Sequence, residues 1–393
     1  MSPSTIMRPE EDGEAPGSRG ERARIRFTRL ARHVVERHDD DGDDVVVDNG
    51  SPSTSSSSWI AETNRLPGRL GERVVVVGGS VLDVHLTSDA VVPGSTVPGR
   101  VAFRHGGVGR NIVECLGRLR ERPLFVSAVG NDAAGREILR ALRSLDLSTR
   151  GVRVCDGLAT SVVACSFDGG GNLTSGVADT SLVESELTRD WVGRFREDIE
   201  GAKLLVVEAN LTHAILELCF DVAHAAGVPV FFEPVSVTKS LRVLPFLDRT
   251  TFLSPNEAEL GAISAAARGP DAGAIEEKAA FLRSKGVAHV LVTMGKAGVY
   301  AATRGGDGED LCERFPSLEV AVANVNGAGD CLVAGVIRAL VKTDPLGSIP
   351  YAVSYGIAVA CVAIQTTMNV PAITGEDEID ANALQVFTNR RSA

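Results

Sequence analysis

From Arg73 onward the chain alternates short β-branched and aliphatic runs with stretches of helical periodicity, and few folds accept that pattern. Val74–Val77 is four consecutive valines closed by Gly78-Gly79. With no polar residue for an outer face, it predicts a strand buried on both sides, as in parallel sheets. Runs of the same kind recur at residues 124–129, 204–207, 228–232, 251–253 and 290–293, with helical stretches at 111–119, 135–145, 213–226, 257–267 and 274–285. Strands alternating with helices predict βαβ units, hence an α/β fold with a mostly parallel central sheet flanked by helices. Residues 84–105 and 160–179 break the alternation. They read as polar-alternating strands, the second folded at Asp168-Gly169-Gly170-Gly171-Asn172, and predict a small antiparallel appendage, a β lid.

Residues 1–70 differ in composition. They hold an acidic run at 39–44, a serine run at 51–58 and one apolar-periodic stretch, at 22–35. Such a segment buries too little apolar surface to offset its conformational entropy, so it predicts a disordered extension before a domain at 71–393. In the periodic stretch Phe27, Leu30, Ala31 and Val34 share one helical face among several arginines. That suits a transient helix or an organelle address. Residues 26–34 loosely resemble a peroxisomal N-terminal signal, the alternative to a cytoplasmic location. The net charge of −11 argues against nucleic acid as a partner. No run of 18 apolar residues is present, which argues against a membrane span. The seven cysteines are widely spaced and never CxxC, so neither zinc nor a disulfide framework is expected.

The segment richest in chemistry is Asn324-Val325-Asn326-Gly327-Ala328-Gly329-Asp330, which opens a helix of small and apolar residues. Unpaired N–H groups at a helix start form an anion cradle. A carboxylate there repels a resident phosphate, but it suits a base that takes a proton from a hydroxyl attacking that phosphate.

This heptapeptide resembles the C-terminal signature of the PfkB/ribokinase family of carbohydrate and nucleoside kinases. Other segments resemble further motifs of that family in the same order: 78–83, the family's first strand end, which would put Asp83 at the end of the first strand, then 106–111, 130–135, Asn256-Glu257-Ala258-Glu259, and 293–298. The resemblance spans about 73 to 370 and implies a ribokinase-like fold, ATP and Mg2+. It assigns Asp330 as base within the anion hole of Gly327, Ala328 and Gly329. It places the acceptor at Ser80, Asp83, Gly106, Gly107, Asn111 and Asp179, and the nucleotide at Asn256, Thr293, Gly295, Gly298 and Asn326. Glu259 would hold magnesium through water. Asn324 stands where the family has Asp, which leaves a potassium requirement open.

Residues 106–115, 176–179, 232–239 and 326–335 resemble one branch of the family, the pseudouridine kinases. That implies ATP-dependent phosphorylation of the 5′-hydroxyl of pseudouridine, with no membrane partner and a homodimer formed through the lid. The alternatives are another acceptor, as in ribokinases, fructokinases or adenosine kinases, or a non-catalytic interaction subunit. The last would be expected to lose Asp330 or its flanking glycines, and all are present.

Overall fold

The computed structural model describes residues 74–89, 94–170, 173–269, 273–304, 310–342 and 348–392. The extension at 1–70, its periodic stretch at 22–35, Val91 and Val92 of the lid, and Gly171 and Asn172 of the predicted turn lie outside the described residues.

Three strands open the fold: β1 (Val74–Val77), β2 (Val81–Thr87) and β3 (Arg100–Gly106). Next come α1 (Val108–Arg118), β4 (Leu124–Gly130), α2 (Ala133–Ser144), β5 (Val152–Cys155), β6 (Val162–Phe167) and β7 (Leu173–Asp179). Then follow β8 (Leu204–Glu208), α3 (His213–Ala226), β9 (Val230–Glu233), β10 (Phe252–Leu253), α4 (Glu257–Arg268), α5 (Ile275–Ser284) and β11 (His289–Thr293). The chain ends with β12 (Val299–Arg304), β13 (Asp310–Phe315), α6 (Ala328–Val341), α7 (Ile349–Ile364), α8 (Asp377–Asn389) and β14 (Arg391–Ser392). Short helical turns fill several of the connections.

Among the described residues the main sheet has ten strands, ordered β14-β13-β12-β11-β10-β9-β8-β1-β4-β5. From β5 to β11 every pairing is parallel; β12, β13 and β14 join antiparallel. The four valines of β1 divide as a doubly covered strand must. Val74 and Val76 enter the core shared with α1, α2, α6, α7 and α8, while Val75 and Val77 enter the core shared with α3, α4 and α5. All four are at most 1% exposed. Helices α6 and α7 touch through glycine: a Cβ on Gly335 would lie 2.8 Å from Gly356 Cα.

The second sheet, ordered β3-β2-β6-β7, is the predicted lid. Two expectations are corrected here. The lid is not wholly antiparallel, because β2 and β6 run parallel. Both leave the main sheet in the same direction, one after β1 and the other after the β5 turn. Asp83 also does not end the first core strand. The chain breaks at Gly78-Gly79-Ser80 and Asp83 lies inside β2, paired with Arg104 and Val163. The break is held by Glu208, at the end of β8, whose Oε1 accepts from Gly79 N at 2.7 Å. The Gly130–Gly135 motif anchors the lid's other root: Asp132 accepts from Gly135 N at 2.8 Å, and from Thr160 N at 2.8 Å just before β6.

Candidate active site

The carboxyl ends of β1, β8, β9, β10 and β11 converge on one edge of the main sheet, where open α/β sheets bind ligands. Helix α6 starts there. Gly327 precedes it with φ +77°, the left-handed region, and a Cβ at that position would lie 2.2 Å from Asn369 O, so only glycine fits. No side chain caps the helix. Ala328 N bonds back to Val325 O at 3.2 Å, and the next two N–H groups, of Gly329 and Asp330, carry the positive end of the helix dipole toward the site. A Cβ on Gly329 would meet nothing within 4 Å; the space beside it is the cavity itself.

That cavity has a volume of about 190 Å³ and is lined by Val108, Glu233, Val235, Ser254, Asn256, Glu259, Thr293, Gly329, Asp330 and Val333. Of the residues expected at the nucleotide, metal and base, the fold brings Asn256, Thr293, Glu259, Gly329 and Asp330 together here. The Asn256–Glu259 motif is also a capping box: Glu259 N donates to Asn256 Oδ1 and Asn256 N donates to Glu259 Oε2, both at 2.9 Å. One carboxylate oxygen of Glu259 thus holds the helix, and the second stays clear of that pairing.

The cavity is electrostatically unbalanced. Burial pushes the Asp330 carboxyl up to about 7, against the lowering pull of the Asn111 hydrogen bond and of Arg110. Burial also raises Glu233 well above the usual range, with Asp330 and Glu259 adding to the rise and a bond from Ser254 opposing it. Glu259 is raised by burial too. Next to Glu233 the backbone is strained: Val235 has φ +66° and Ser236 N reaches back to Pro234 O at 2.7 Å, a γ-turn with a β-branched residue at its centre. Such a conformation costs about 1–3 kcal/mol.

On the acceptor side the charges are paired. Asn111 Nδ2 donates to Asp330 Oδ2 at 2.6 Å, and the Asn111 amide oxygen accepts from Arg110. Asn369 Nδ2 donates to Asp83 Oδ2 at 2.9 Å and to His105 O at 3.0 Å. Burial raises Asp83 to about 6, offset by Asn369 and Arg110. Gly106 must lack a side chain, since its Cβ would lie 2.2 Å from that carboxylate.

Other expected residues stand apart. Ser80 is fully buried and its hydroxyl accepts from Ser127 at 3.3 Å, within the core. Asp179 ends β7 and accepts from Ser181 Oγ at 2.6 Å. Gly298 makes a tight turn against Phe315 O, and Gly295 opens that turn. Asn326 is exposed, its N–H bonded to Asn324 Oδ1 at 3.1 Å. Gly107 turns the chain into α1. Sequence reasoning missed Glu208, Ser254 and Asn369. Glu208 could have been found, because it is a carboxylate at the carboxyl end of a buried strand, as Glu233 is. Asn369 sits in irregular chain after α7 and carries no local signal.

A model of the pfkB family of carbohydrate kinases matches residues 72–371. The chain belongs to that family. Among curated proteins, the pseudouridine kinase of Arabidopsis thaliana is 31% identical over 81% of this chain and 97% of that protein. The pseudouridine kinase of Escherichia coli K12 is 28% identical over 73% of this chain and 88% of its own length. A solved Arabidopsis thaliana ribokinase complexed with ribose and ATP superposes with a TM-score of 0.69 at 21% identity, covering 80% of this chain and 99% of that one, and confirms the ribokinase-like fold.

Proposed function

We propose that the protein transfers the γ-phosphoryl group of ATP to the 5′-hydroxyl of pseudouridine. The observation that carries the phosphoryl-transfer chemistry is the position of Asp330: a buried carboxylate at a helix start with no side-chain cap, held by Asn111 and flanked by a cavity that Glu233 and Glu259 also line. The choice of acceptor is supported by the two relatives named pseudouridine kinase and by the lengths over which they match.

Asp330 accepts the proton of the attacking hydroxyl, and a carboxyl that titrates near neutrality is matched to that task. The N–H groups of α6 face the charge that gathers on the transferring group. Asp83 takes acceptor hydroxyls as a charge-assisted partner. The residues present fit a magnesium ion: Glu233 and Glu259 offer only oxygen, and burial raises both carboxyls, a desolvation cost that a cation beside them would offset. Bound with the nucleotide, it would neutralise phosphate oxygens.

The deciding experiment measures ATP consumption with pseudouridine, uridine, adenosine, ribose and fructose in parallel, in potassium and in sodium. Phosphorylation of pseudouridine at much the highest kcat/KM supports the reading. Preference for another acceptor keeps the kinase and overturns the substrate; no turnover with any favours an interaction subunit.

The lid adds a homodimer to the proposal. By register Leu86, Val101, Phe103 and Val177 share one lid face, and Asp83 and Val163 share the other. Val101 is 54% exposed and Val177 73%, apolar surface of the kind that a second copy covers. Charge at Val101 should then yield monomers in sedimentation, while charge at Val163 should impair the acceptor. A monomeric wild type at micromolar concentration removes the dimer.

A further inference from the structure

Arg110 is among the largest fully buried side chains of the described residues, 2% exposed, in the first turn of α1. Buried cations are rare unless each N–H finds a partner. Here they do. Nε donates to Gly106 O at 3.2 Å, and the terminal nitrogens donate to His105 O, to Glu114 and to the amide oxygen of Asn111. Glu114 in turn bridges to Arg118, its Oε1 2.6 Å from Nη2. The guanidinium also lies in the fields of Asp83 and Asp330.

The Asn111 contact has a consequence that a plain ion pair would not. An amide has one acceptor end and one donor end. With its oxygen taken by a guanidinium that burial lowers only to about 10, and that so stays charged at neutral pH, its NH2 group must point the other way, and it points at Asp330 Oδ2. Turning the amide over would set NH2 against guanidinium and oxygen against carboxylate, two unfavourable contacts at once. Arg110 therefore fixes the donor that holds Asp330, and its bonds to Gly106 and His105 tie that donor to the loop carrying the acceptor side.

We propose that Arg110 is a positioning residue for the transfer step: its guanidinium locks the Asn111 amide, which orients the Asp330 carboxylate toward the acceptor hydroxyl. The inference rests on reading Asp330 as the base.

The test is a double-mutant cycle in the full-length enzyme. Arg110→Gln, Asn111→Ala and the pair are assayed for kcat, both KM values and melting temperature, with Asp330→Asn alongside. Arg110→Gln should lower kcat roughly ten- to hundredfold with the KM for ATP unchanged. The double variant should be no slower than Asn111→Ala alone, because Arg110 acts through Asn111. Arg110→Lys should restore melting temperature but not kcat, since an ammonium keeps the charge and loses the planar fork. As a buried Glu114 short of a partner could weaken the fold, the cycle is repeated with Glu114→Gln. Rate losses that multiply in the double variant, or that follow melting temperature and vanish in the Glu114→Gln background, overturn the inference. Retention of rate by Asp330→Asn overturns instead the reading of the base on which it rests; a dead Asp330→Asn with a multiplicative cycle condemns only the role of Arg110.

Discussion

The two halves of the site handle charge in opposite ways. On the acceptor side Asp83 and the Asp330 oxygen facing Asn111 each have an amide donor, and Arg110 lies between them as counter-charge. On the nucleotide side Glu233, Glu259 and Asp330 surround one small cavity, and no cation among the described residues is bonded to any of the three. The acceptor side is complete as folded, whereas the nucleotide side is complementary only to something that brings positive charge or strong donors with it. Asp330 belongs to both. A base that titrates near 7 is about half ionised at neutral pH, so it can take up a proton where an ordinary carboxylate would be a weaker acceptor.

The sharpest way to break the contrast is at the shared residue. Asp330→Asn should lower kcat by about 10² to 10⁴ while leaving ATP affinity within a small factor, read by turnover and by calorimetry. In the wild type, the ionised base is the working form and Asp330 titrates near 7, so kcat/KM should drop about tenfold per pH unit below that value and level off above it. Stability carries the opposite sign. With its folded value raised from 3.8, the native state holds the proton more tightly than the unfolded chain, so Asp330 costs stability as pH rises from about 4 through 7. Asp330→Asn should therefore melt higher than wild type at pH 8, and the gain should disappear near pH 4. A variant that melts lower at pH 8 would show that the carboxylate is satisfied after all.

Next in size is the acceptor side. Asp83→Ala removes a charged partner from desolvated hydroxyls, a loss of about 1.5–3 kcal/mol, or roughly ten- to hundredfold in acceptor kcat/KM. ATP KM should stay level. A raised ATP KM with an unchanged acceptor KM would put Asp83 on the wrong side of the comparison. Smaller still is Glu259→Gln. Glutamine keeps the capping box, so melting temperature should hold. It removes one of three crowded charges, so half-saturation in magnesium should rise several-fold. A large drop in melting temperature with normal magnesium dependence would mean the motif serves the helix alone. The smallest expected effect is none. The family match begins at 72, so a chain beginning at Leu70 should turn over and melt like the whole. Any large loss would show that the extension contributes.

Much of this was legible in the sequence because it depends on local pattern. Four valines in a row cannot sit on a solvated sheet face, and His213–Ala226 begins and ends where its periodicity does. Gly327 and Gly329 announced an anion cradle through chain geometry that other residues cannot adopt or would obstruct. What stayed hidden depends on residues far apart in sequence. Asn369 meets Asp83 across 286 positions and Asn111 meets Asp330 across 219. Nothing around Asn369 marks it, because an amide in irregular chain becomes a site residue only when folding delivers its partner. Asp83 was misplaced for a related reason. Residues 78–83 read as the end of the first strand, whereas the chain changes sheet there, at a break pinned by the bond from Gly79 to Glu208.

The glycine contact between α6 and α7 bears on how inherited variation in such a chain would be read. Gly356 carries no chemistry, yet a methyl group there would press within 2.6 Å of Leu332 O, two residues beyond the base on the same helix. Such an allele would score in a genetic screen as a lesion of the catalytic loop, inactive although every conserved-looking motif is intact. Because the obstruction includes main chain as well as the Val336 side chain, trimming a neighbouring side chain would not fully relieve it, and simple suppressors should be rare. Position 356 is in that sense as unforgiving as position 330, for reasons of space where the other is constrained by chemistry.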